Sequence, residues 1–403
     1  MKESRITKLE MILSGYREGE LNFKIDKEHI KKWLSQFSED SREVILEETV
    51  HIFEKWYFNK NDIRNCIDRF LQFLCKKYML SEAELIKKLV FIDEQQEGTS
   101  QKRILDIVSD TINERHGLNI NTTISPDYKF YVYLDDGLYS GKRVRNDISK
   151  LINQLTEGST IDAFFIVAGT QGIEYAKKTL QNKAIKKGIT INLENIYRLE
   201  NNRVPIVEYG SDGSSTERYS AEYTCLWPMP HLSNDPIIQK YEMQIKKNTK
   251  YEKRLYRDGR WYSDKGIFTS VNNRDVVEKE FLLKGIEIVN SCNTKLYPLG
   301  YNLWPSFGFG SFTANDFNIS NTCPLVLWWG NIEKKNDSLD SWYPLLPRRV
   351  NENEINCSDE MLDDYEEYEY SGDECYICPD CGRRYGFAND GGNGFCIDCA
   401  WRH

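Results

Sequence analysis

Short apolar runs alternate with amphipathic segments between residues 89 and 193, and this alternation constrains the fold more than any other feature of the chain. Each amphipathic segment carries apolar residues at helical spacing over about three turns. Such alternation is typical of α/β proteins, in which parallel strands are joined by right-handed crossover helices. The loops after parallel strands meet at one edge of the sheet, where open sheets bind ligands. The predicted strands are residues 89–92, 130–134, 164–167 and 189–193, and the loops are residues 93–100, 135–142 and 168–172.

The stretch around the second predicted strand carries the most chemical information. Its apolar run ends in two adjacent carboxylates, Asp135 and Asp136. A loop from Gly137 to Gly141 follows, and an amphipathic helix is predicted from about Lys142. Carboxylates repel phosphate, so their natural partners are sugar hydroxyls or a divalent cation. The pattern therefore predicts a site for a phosphorylated sugar or, as the alternative, two aspartates that cap the helix and hold the turn.

The loop itself has the properties of a phosphate-binding site. Glycine permits the tight turn, and the backbone N–H groups of residues 140–143 can converge on one anion at the start of the helix. A helix N-terminus favours an anion by about 0.3–1 kcal/mol before direct hydrogen bonds are counted. Ser140 adds a hydroxyl donor.

This stretch resembles a known motif. Four apolar residues, two acids, three variable residues and Ser-Gly, which stand at residues 131–141, are the pattern of the phosphoribosyl-pyrophosphate loop in type I phosphoribosyltransferases. The resemblance implies that Asp135 and Asp136 are catalytic residues that contact the ribose hydroxyls. The loop after them would hold the 5′-phosphate, and the family commonly has a small hydroxyl residue at the position of Arg143. The implied ligand-binding residues are Gly137, Ser140, Gly141, Lys142 and Arg143.

The resemblance extends over about residues 25–350, because further motifs follow in a fixed order. Together they are similar to the phosphoribosyltransferase-like domain of bacterial conflict systems, which includes effectors encoded beside retron reverse transcriptases. This implies an antiphage defence effector, or toxin, that acts on a phosphoribosyl or nucleotide metabolite. Its reaction would be transfer of the glycosyl group or hydrolysis of the glycosidic bond. The implied cofactor is Mg²⁺ bound with the phosphorylated ligand, and the implied partner is a complex of reverse transcriptase and nucleic acid. The motifs are residues 33–37, 273–285, 299–301, 308–310, 327–330 and 342–348.

Two other loops are candidates by their position in the fold. In ordinary type I enzymes the loop after the first strand binds pyrophosphate, and the matching position here is residues 94–101. The loop after the third predicted strand is a candidate third wall. Ordinary surface turns explain both loops equally well. The candidate ligands are Gly98, Thr99, Ser100 and Lys102 in the first loop and Gly169, Thr170 and Gln171 in the second.

Composition divides the sequence into four regions. Residues 1–88 predict helices, which either pack on a larger core or form a separate partner-docking module. Residues 89–350 form the predicted phosphoribosyltransferase-like domain, whose last part is irregular and rich in aromatic residues, either core or a stacking surface for bases. Residues 351–374 are strongly acidic and predict a solvated linker, with mimicry of a nucleic-acid backbone as the alternative. Residues 375–403 have metal-ligand spacing.

The C-terminal region carries five of the eleven cysteines. Two Cys-x-x-Cys pairs at this spacing supply four thiolates for a tetrahedral, structural zinc ion, as in a zinc ribbon. So short a segment buries too little apolar surface to fold alone, so zinc binding also supplies its folding energy. Cys375 or His403 is an alternative to an outer ligand, and zinc ribbons usually bind nucleic acid or protein. The predicted ligands are Cys378, Cys381, Cys396 and Cys399.

Charge and hydropathy limit the function further. The net charge of −9 argues against a surface that binds nucleic acid or anionic membrane over its whole area. No apolar run is long enough to span a membrane and no cleavable leader begins the chain, so we expect a cytoplasmic protein. Two other functions fit the same sequence. One is a non-catalytic nucleotide sensor, and the other is an adaptor of a defence complex that binds nucleic acid or protein.

Overall fold

The N-terminal part of the chain is helical, as its periodicity predicts. The structure is a computed structural model that describes residues 2–94, 99–125, 127–199, 206–209, 214–218, 224–226, 230–245, 265–291, 310–330, 342–348, 375–377 and 384–386. The first elements are helices α1 Lys2–Leu13, α2 Lys27–Leu34 and α3 Arg42–Trp56, strand β1 Tyr57–Phe58, and helices α4 Lys60–Tyr78 and α5 Glu82–Ile86. Helix α4 begins with a capping box. The side chain of Asn59 accepts the backbone N–H of Asp62, and the side chain of Asp62 accepts the backbone N–H of Asn59.

A four-stranded parallel sheet forms the centre of the α/β fold. Its elements are β2 Leu89–Phe91, α6 Thr99–His116, β3 Phe130–Leu138, α7 Lys142–Gln154, β4 Thr160–Gly169, α8 Thr170–Ile185 and β5 Thr190–Leu199. The strands lie in the order β2-β3-β4-β5, and all neighbours are parallel. Gly117 and Gly188 follow α6 and α8 with positive φ angles, a conformation that is typical after the end of a helix. The predicted alternation of strands and helices is therefore confirmed.

Both faces of this sheet are covered. Tyr133 and Phe165 point to one face, where they share an apolar cluster with residues of α7 and α8. Val132 and Leu134, one register position away, point to the other face and pack with α6 and the N-terminal helices. The N-terminal helices thus pack on the core that the sheet also uses.

The described residues beyond the sheet add short elements to this core. They are β6 Ile206–Tyr209, β7 Ser215–Arg218, α9 Pro236–Ile245, α10 Val271–Ser291, β8 Ala314–Asn315, α11 Leu325–Trp328, β9 Cys375–Ile377 and β10 Arg384–Gly386. Helix α10 contains the sequence motif at residues 273–285. Strand β8 pairs in parallel with β1, which brings the late part of the chain against the first helices. In the described ranges, no helix combines the length and the apolar character needed to cross a membrane.

The aromatic residues described in the late segment belong to the core. Trp328 and Trp329 are fully buried and Trp342 is nearly so. The indole N–H groups of Trp33 and Trp342 both donate to the carbonyl oxygen of Val326, each at 2.8 Å. These rings therefore fill the interior between α2 and α11, and they offer no stacking surface for bases.

Candidate active site

The acid pair lies where β3 passes into α7. Strand β3 continues past the acids to Leu138, so the turn is shorter than predicted and comprises residues 139–141. Asp135 is buried and Asp136 is partly exposed. Helix α7 begins at Lys142, as predicted, and has no side-chain cap. The aspartates therefore do not cap this helix.

The turn is built on a close approach of two backbones. Gly141 has a φ angle of +77°, and a Cβ atom there would lie 2.3 Å from the carbonyl oxygen of Gly172. A Cβ atom at Gly172 would lie 2.0 Å from the carbonyl oxygen of Tyr139. Only glycine fits at both positions, because no side-chain carbon approaches a backbone oxygen so closely. The start of α8 therefore packs directly against the backbone of the turn.

A cavity of about 500 Å³ opens at this edge of the sheet, between two walls. The first wall is the predicted phosphate loop and its helix, together with Ser100 from the first turn of α6. The second wall comes from the late part of the chain, next to β8. The first wall comprises Ser100, residues 135–144, Asn146, Asp147 and Lys150, and the second comprises residues 313–315, residues 318–321 and Arg348.

Asn315 joins the two walls at the acid pair. Its Nδ2 atom donates to Oδ2 of Asp136 at 2.7 Å. Its Oδ1 atom accepts the backbone N–H groups of Phe317 and Asn318, at 2.8 and 2.9 Å. Because these two donors fix the amide oxygen, the amide nitrogen must face Asp136. Asn315 therefore holds the Asp136 carboxylate in one orientation.

Tyr139 makes a second link between the walls. Its hydroxyl lies 2.8 Å from Oγ1 of Thr313. Burial raises the pKa of Tyr139 far above its ordinary value, and the nearby charge of Asp136 acts in the same direction. The phenol is therefore neutral at physiological pH, and the bond to Thr313 anchors the turn.

A third carboxylate, Asp147, lies on α7 in the same cavity. Its Oδ2 atom accepts the hydroxyl of Tyr133 at 3.0 Å. Burial raises the pKa of Asp147, against the opposing effects of the Tyr133 hydrogen bond and of the positive charges of Arg143 and Lys150. The first wall thus combines carboxylates with cations. Carboxylates accept hydrogen bonds from hydroxyl groups, while the start of α7, Lys142 and Arg143 attract an anion.

The other predicted residues fall partly inside the cavity. Helix α6 begins at Thr99, and Ser100 lines the cavity. Thr170 is buried, and its hydroxyl donates to the carbonyl oxygen of Leu199 at 3.0 Å. Neither Gly169 nor Thr170 is among the described lining residues, and the wall expected from them is supplied by the second wall.

The sequence predicted no part of the second wall as a site, although Arg348 is the last residue of the motif at residues 342–348. Strand β8 has only two residues, too few to show a periodicity. Asparagine at residue 315 followed by Asp-Phe-Asn is typical of a turn in which the side chain accepts backbone N–H groups. That signal could have identified the turn but not its partner Asp136, which is 179 residues away.

The predicted zinc ligands lie outside the described residues. Strands β9 and β10 pair in antiparallel fashion, and in the sequence they flank Cys378 and Cys381. Cys396, Cys399 and His403 also fall outside the described part, so the zinc ribbon stays a prediction. Within the described part of the chain, no group of three or more His, Cys, Asp or Glu side chains could hold a metal ion.

Comparison with protein families places most of the chain in a family. A family model described as PRTase-CE matches residues 30–348, which is more than half of the chain. The matched region contains the sheet, the predicted phosphate loop and both walls of the cavity. No curated protein matches the chain.

Proposed function

The chain belongs to the PRTase-CE family, and from this premise we propose that its cavity binds a phosphoribosyl compound and acts at the anomeric carbon. The main support for the proposal is that Asp135, Asp136 and the start of α7 line the same cavity. The two carboxylates accept hydrogen bonds from the ribose hydroxyls. The N–H groups and cationic side chains of residues 140–143 bind the 5′-phosphate.

In this reaction the bond between the anomeric carbon and its leaving group breaks. With 5-phosphoribosyl pyrophosphate, pyrophosphate leaves with the bonding electron pair. An acceptor, or water, forms the new bond to the carbon and gives up a proton. Positive charge that develops on the ribose is stabilised by Asp135 and Asp136, which lie on the first wall. Mg²⁺ bound to the phosphorylated ligand would neutralise pyrophosphate charge.

Calorimetric titration with 5-phosphoribosyl pyrophosphate and Mg²⁺ tests the binding site. The double variant Asp135→Asn, Asp136→Asn should bind at least about 10-fold more weakly than the wild type, because a neutral amide is a poorer acceptor than a carboxylate. Asp110→Asn is the matched control, since Asp110 is exposed on α6 and does not line the cavity. Unchanged affinity in the double variant would show that the ligand binds elsewhere.

The same samples decide between an enzyme and a sensor. Type I phosphoribosyltransferases commonly have a small hydroxyl residue at the position of Arg143. Because the loop departs from the pattern of the enzymes here, the second candidate is a sensor that binds the ligand without turning it over. Chromatography of the titrated ligand after several hours measures pyrophosphate release. Release that depends on Asp135 and Asp136 supports catalysis, whereas bound ligand that stays intact supports the sensor.

We also propose that the protein acts as a cytoplasmic antiphage effector, together with a reverse transcriptase and its nucleic acid. The proposal is supported by the ordered motifs of the sequence and by membership of the family. Phage plating on cells that carry the complete system measures protection. The double variant of Asp135 and Asp136 should lose protection, and Asp110→Asn should keep it. Protection by the double variant would exclude the cavity from the defence function.

The zinc ribbon is proposed from its donor set, because four thiolates in two Cys-x-x-Cys pairs match the preference of zinc. Elemental analysis of the full chain should find about one zinc ion per molecule. Cys396→Ser with Cys399→Ser should lose it, because two thiolates bind zinc too weakly to hold it. Cys375→Ser is the matched control and should retain zinc. Loss of zinc from the control as well would assign Cys375 as a ligand.

A further inference from the structure

The two walls of the cavity differ in charge. The first wall carries three carboxylates, Asp135, Asp136 and Asp147, beside its cations. The lining residues described for the second wall include no carboxylate. They provide hydroxyl and amide groups and one full positive charge, that of Arg348. Such a wall suits an anionic group of the ligand.

Arg348 is held in place by its neighbours in the chain and in space. The carbonyl oxygen of Pro347 accepts Nη1 of Arg17 at 2.9 Å and the hydroxyl of Tyr16 at 3.1 Å. The guanidinium carbon of Arg348 lies 5.8 Å from the ring centroid of Trp328, which is fully buried. An arginine fixed in this way loses little freedom when it binds an anion.

Arg17 also connects the two segments that form the second wall. Its backbone N–H donates to the carbonyl oxygen of Asp316 at 2.7 Å, while its side chain holds Pro347. Arg17 has a φ angle of +46°, a left-handed conformation that is uncommon for a residue with a side chain. The segment at residues 313–321 and the segment that ends at Arg348 are thus joined as one preformed surface.

We propose that Arg348, together with Ser320 and Asn321, which line the same cavity, forms a second anion subsite. It binds an anionic group of the ligand other than the 5′-phosphate, such as a pyrophosphate on the anomeric carbon. The inference rests on the proposed phosphoribosyl site, since the first wall supplies the 5′-phosphate cradle. It assigns to the late part of the chain a role in selecting ligands with two anionic ends.

The test compares a ligand that has both anionic groups with one that has a single group. Binding of 5-phosphoribosyl pyrophosphate and of ribose 5-phosphate, each with Mg²⁺, is measured by calorimetry. Arg348→Gln should weaken binding of the pyrophosphate compound by at least about 10-fold and that of ribose 5-phosphate by less than about 2-fold. Arg348→Lys should give an intermediate loss, because it keeps the charge without the two-point geometry. Arg64→Gln, an exposed arginine of α4, is the matched control.

The outcomes separate the subsite from the proposed function. If the wild type binds neither ligand, the proposed function fails and the subsite fails with it. If the wild type binds both ligands and Arg348→Gln weakens both equally or neither, only the subsite is overturned, and Arg348 is then a structural residue beside Trp328.

Should Arg348→Gln fail to fold, the wild type gives an independent answer. Phenylglyoxal modifies arginine side chains, and peptide mass spectrometry measures each site separately. The pyrophosphate compound should protect both Arg143 and Arg348, whereas ribose 5-phosphate should protect Arg143 alone. Equal modification of Arg348 with either ligand would overturn the subsite.

Discussion

A single amide, that of Asn315, fixes the orientation of the Asp136 carboxylate in the cavity. Its oxygen is occupied by the N–H groups of Phe317 and Asn318, and its nitrogen by Asp136. Asp135 is fixed differently, because its Oδ1 atom accepts the backbone N–H of Asp136 at 2.9 Å. Both carboxylates are therefore oriented before a ligand arrives, which reduces the entropy lost on binding. Asn315 acts through Asp136 and is a positioning residue.

The variant Asn315→Asp isolates this role. Its carboxylate still accepts the N–H groups of Phe317 and Asn318, so the turn is kept, but a carboxylate oxygen now faces Asp136. Two carboxylates at that distance share one proton, as like charges cannot both ionise there without a large penalty. We expect binding of 5-phosphoribosyl pyrophosphate to be about 10-fold weaker than in the wild type at pH 8 and to recover as the pH falls and the shared proton restores the hydrogen bond.

Titration calorimetry of both proteins between pH 8 and pH 5.5 measures this recovery. Asn315→Ala is the comparison, because it lacks both the acceptor and the titratable group and should show no recovery. A ratio of affinities that is independent of pH in Asn315→Asp would mean that Asn315 only stabilises the turn.

At the scale of elements, the first wall could be predicted and the second could not. Strand β3, its turn and α7 are consecutive in the chain, so apolar periodicity, two acids and Gly141 locate them. Even so, β3 extends past the acids because Leu138 still pairs with Ala168 of β4, a contact that local sequence does not reveal. The second wall depends on the pairing of β8 with β1, across more than 250 residues. Its position is decided by packing rather than by local propensity.

Replacing glycine by alanine in the turn between β3 and α7 should cost more unfolding free energy than the same change at a glycine with open space around it. Gly141→Ala adds left-handed strain and a contact of 2.3 Å with the carbonyl oxygen of Gly172. Gly117→Ala is the matched control, because Gly117 has a φ angle of +63° and open space around it. We expect the control to lose about 1–2 kcal/mol of unfolding free energy from the backbone strain, and Gly141→Ala to lose at least about 1 kcal/mol more from the overpacking.

Urea denaturation of both variants measures these losses. Gly141→Ala should also bind 5-phosphoribosyl pyrophosphate more weakly, since the turn carries the phosphate loop, while Gly117→Ala should bind as the wild type does. Equal losses of stability in the two variants would show that the backbone contact at Gly172 relaxes freely.

At the scale of the whole molecule, the first helices and the last described core segment close around the sheet domain. The side chain of Gln36 makes two hydrogen bonds with the backbone of Tyr343. Its Nε2 atom donates to the carbonyl oxygen of Tyr343, and its Oε1 atom accepts the N–H of Tyr343, each at 2.8 Å. Trp33 binds the carbonyl of Val326 in the same region. The sequence motifs at residues 33–37, 327–330 and 342–348 are therefore parts of one packed unit. Arg348 is the last residue of this unit and lines the cavity, so the stability of the unit also positions the second wall.

His29 gives that unit a dependence on pH. The ring is buried between Phe23 and Tyr343, with Nε2 at 2.8 Å from the carbonyl oxygen of Leu345 and Nδ1 at 2.8 Å from the hydroxyl of Tyr343. A carbonyl can only accept, so Nε2 carries the hydrogen and the Tyr343 hydroxyl donates to Nδ1. Burial lowers the pKa of His29, against the opposing effects of the Leu345 hydrogen bond and the charge of Asp26.

The lowered pKa fixes the sign of the pH effect. The unfolded chain, with a histidine pKa of about 6.5, takes up the proton at a higher pH than the folded protein does. The stabilisation from neutral His29 is therefore complete above about pH 7 and is lost as the pH falls below about 6.5, with a slope of at most about 1.4 kcal/mol per pH unit for one proton. Urea denaturation between pH 7.5 and pH 5.5 should show this slope in the wild type.

The matched variants test whether the slope belongs to His29. In His29→Gln it should disappear, because an amide does not titrate, whereas His51→Gln replaces an exposed histidine of α3 and should leave the slope unchanged. Retention of the full slope in His29→Gln would assign the pH effect to another group. A slope that vanishes only in His29→Gln would assign the pH effect to His29, whose ring bonds Tyr343 and Leu345 in the segment that ends at Arg348. Binding of 5-phosphoribosyl pyrophosphate, which we assign in part to Arg348, should then weaken in the same pH range.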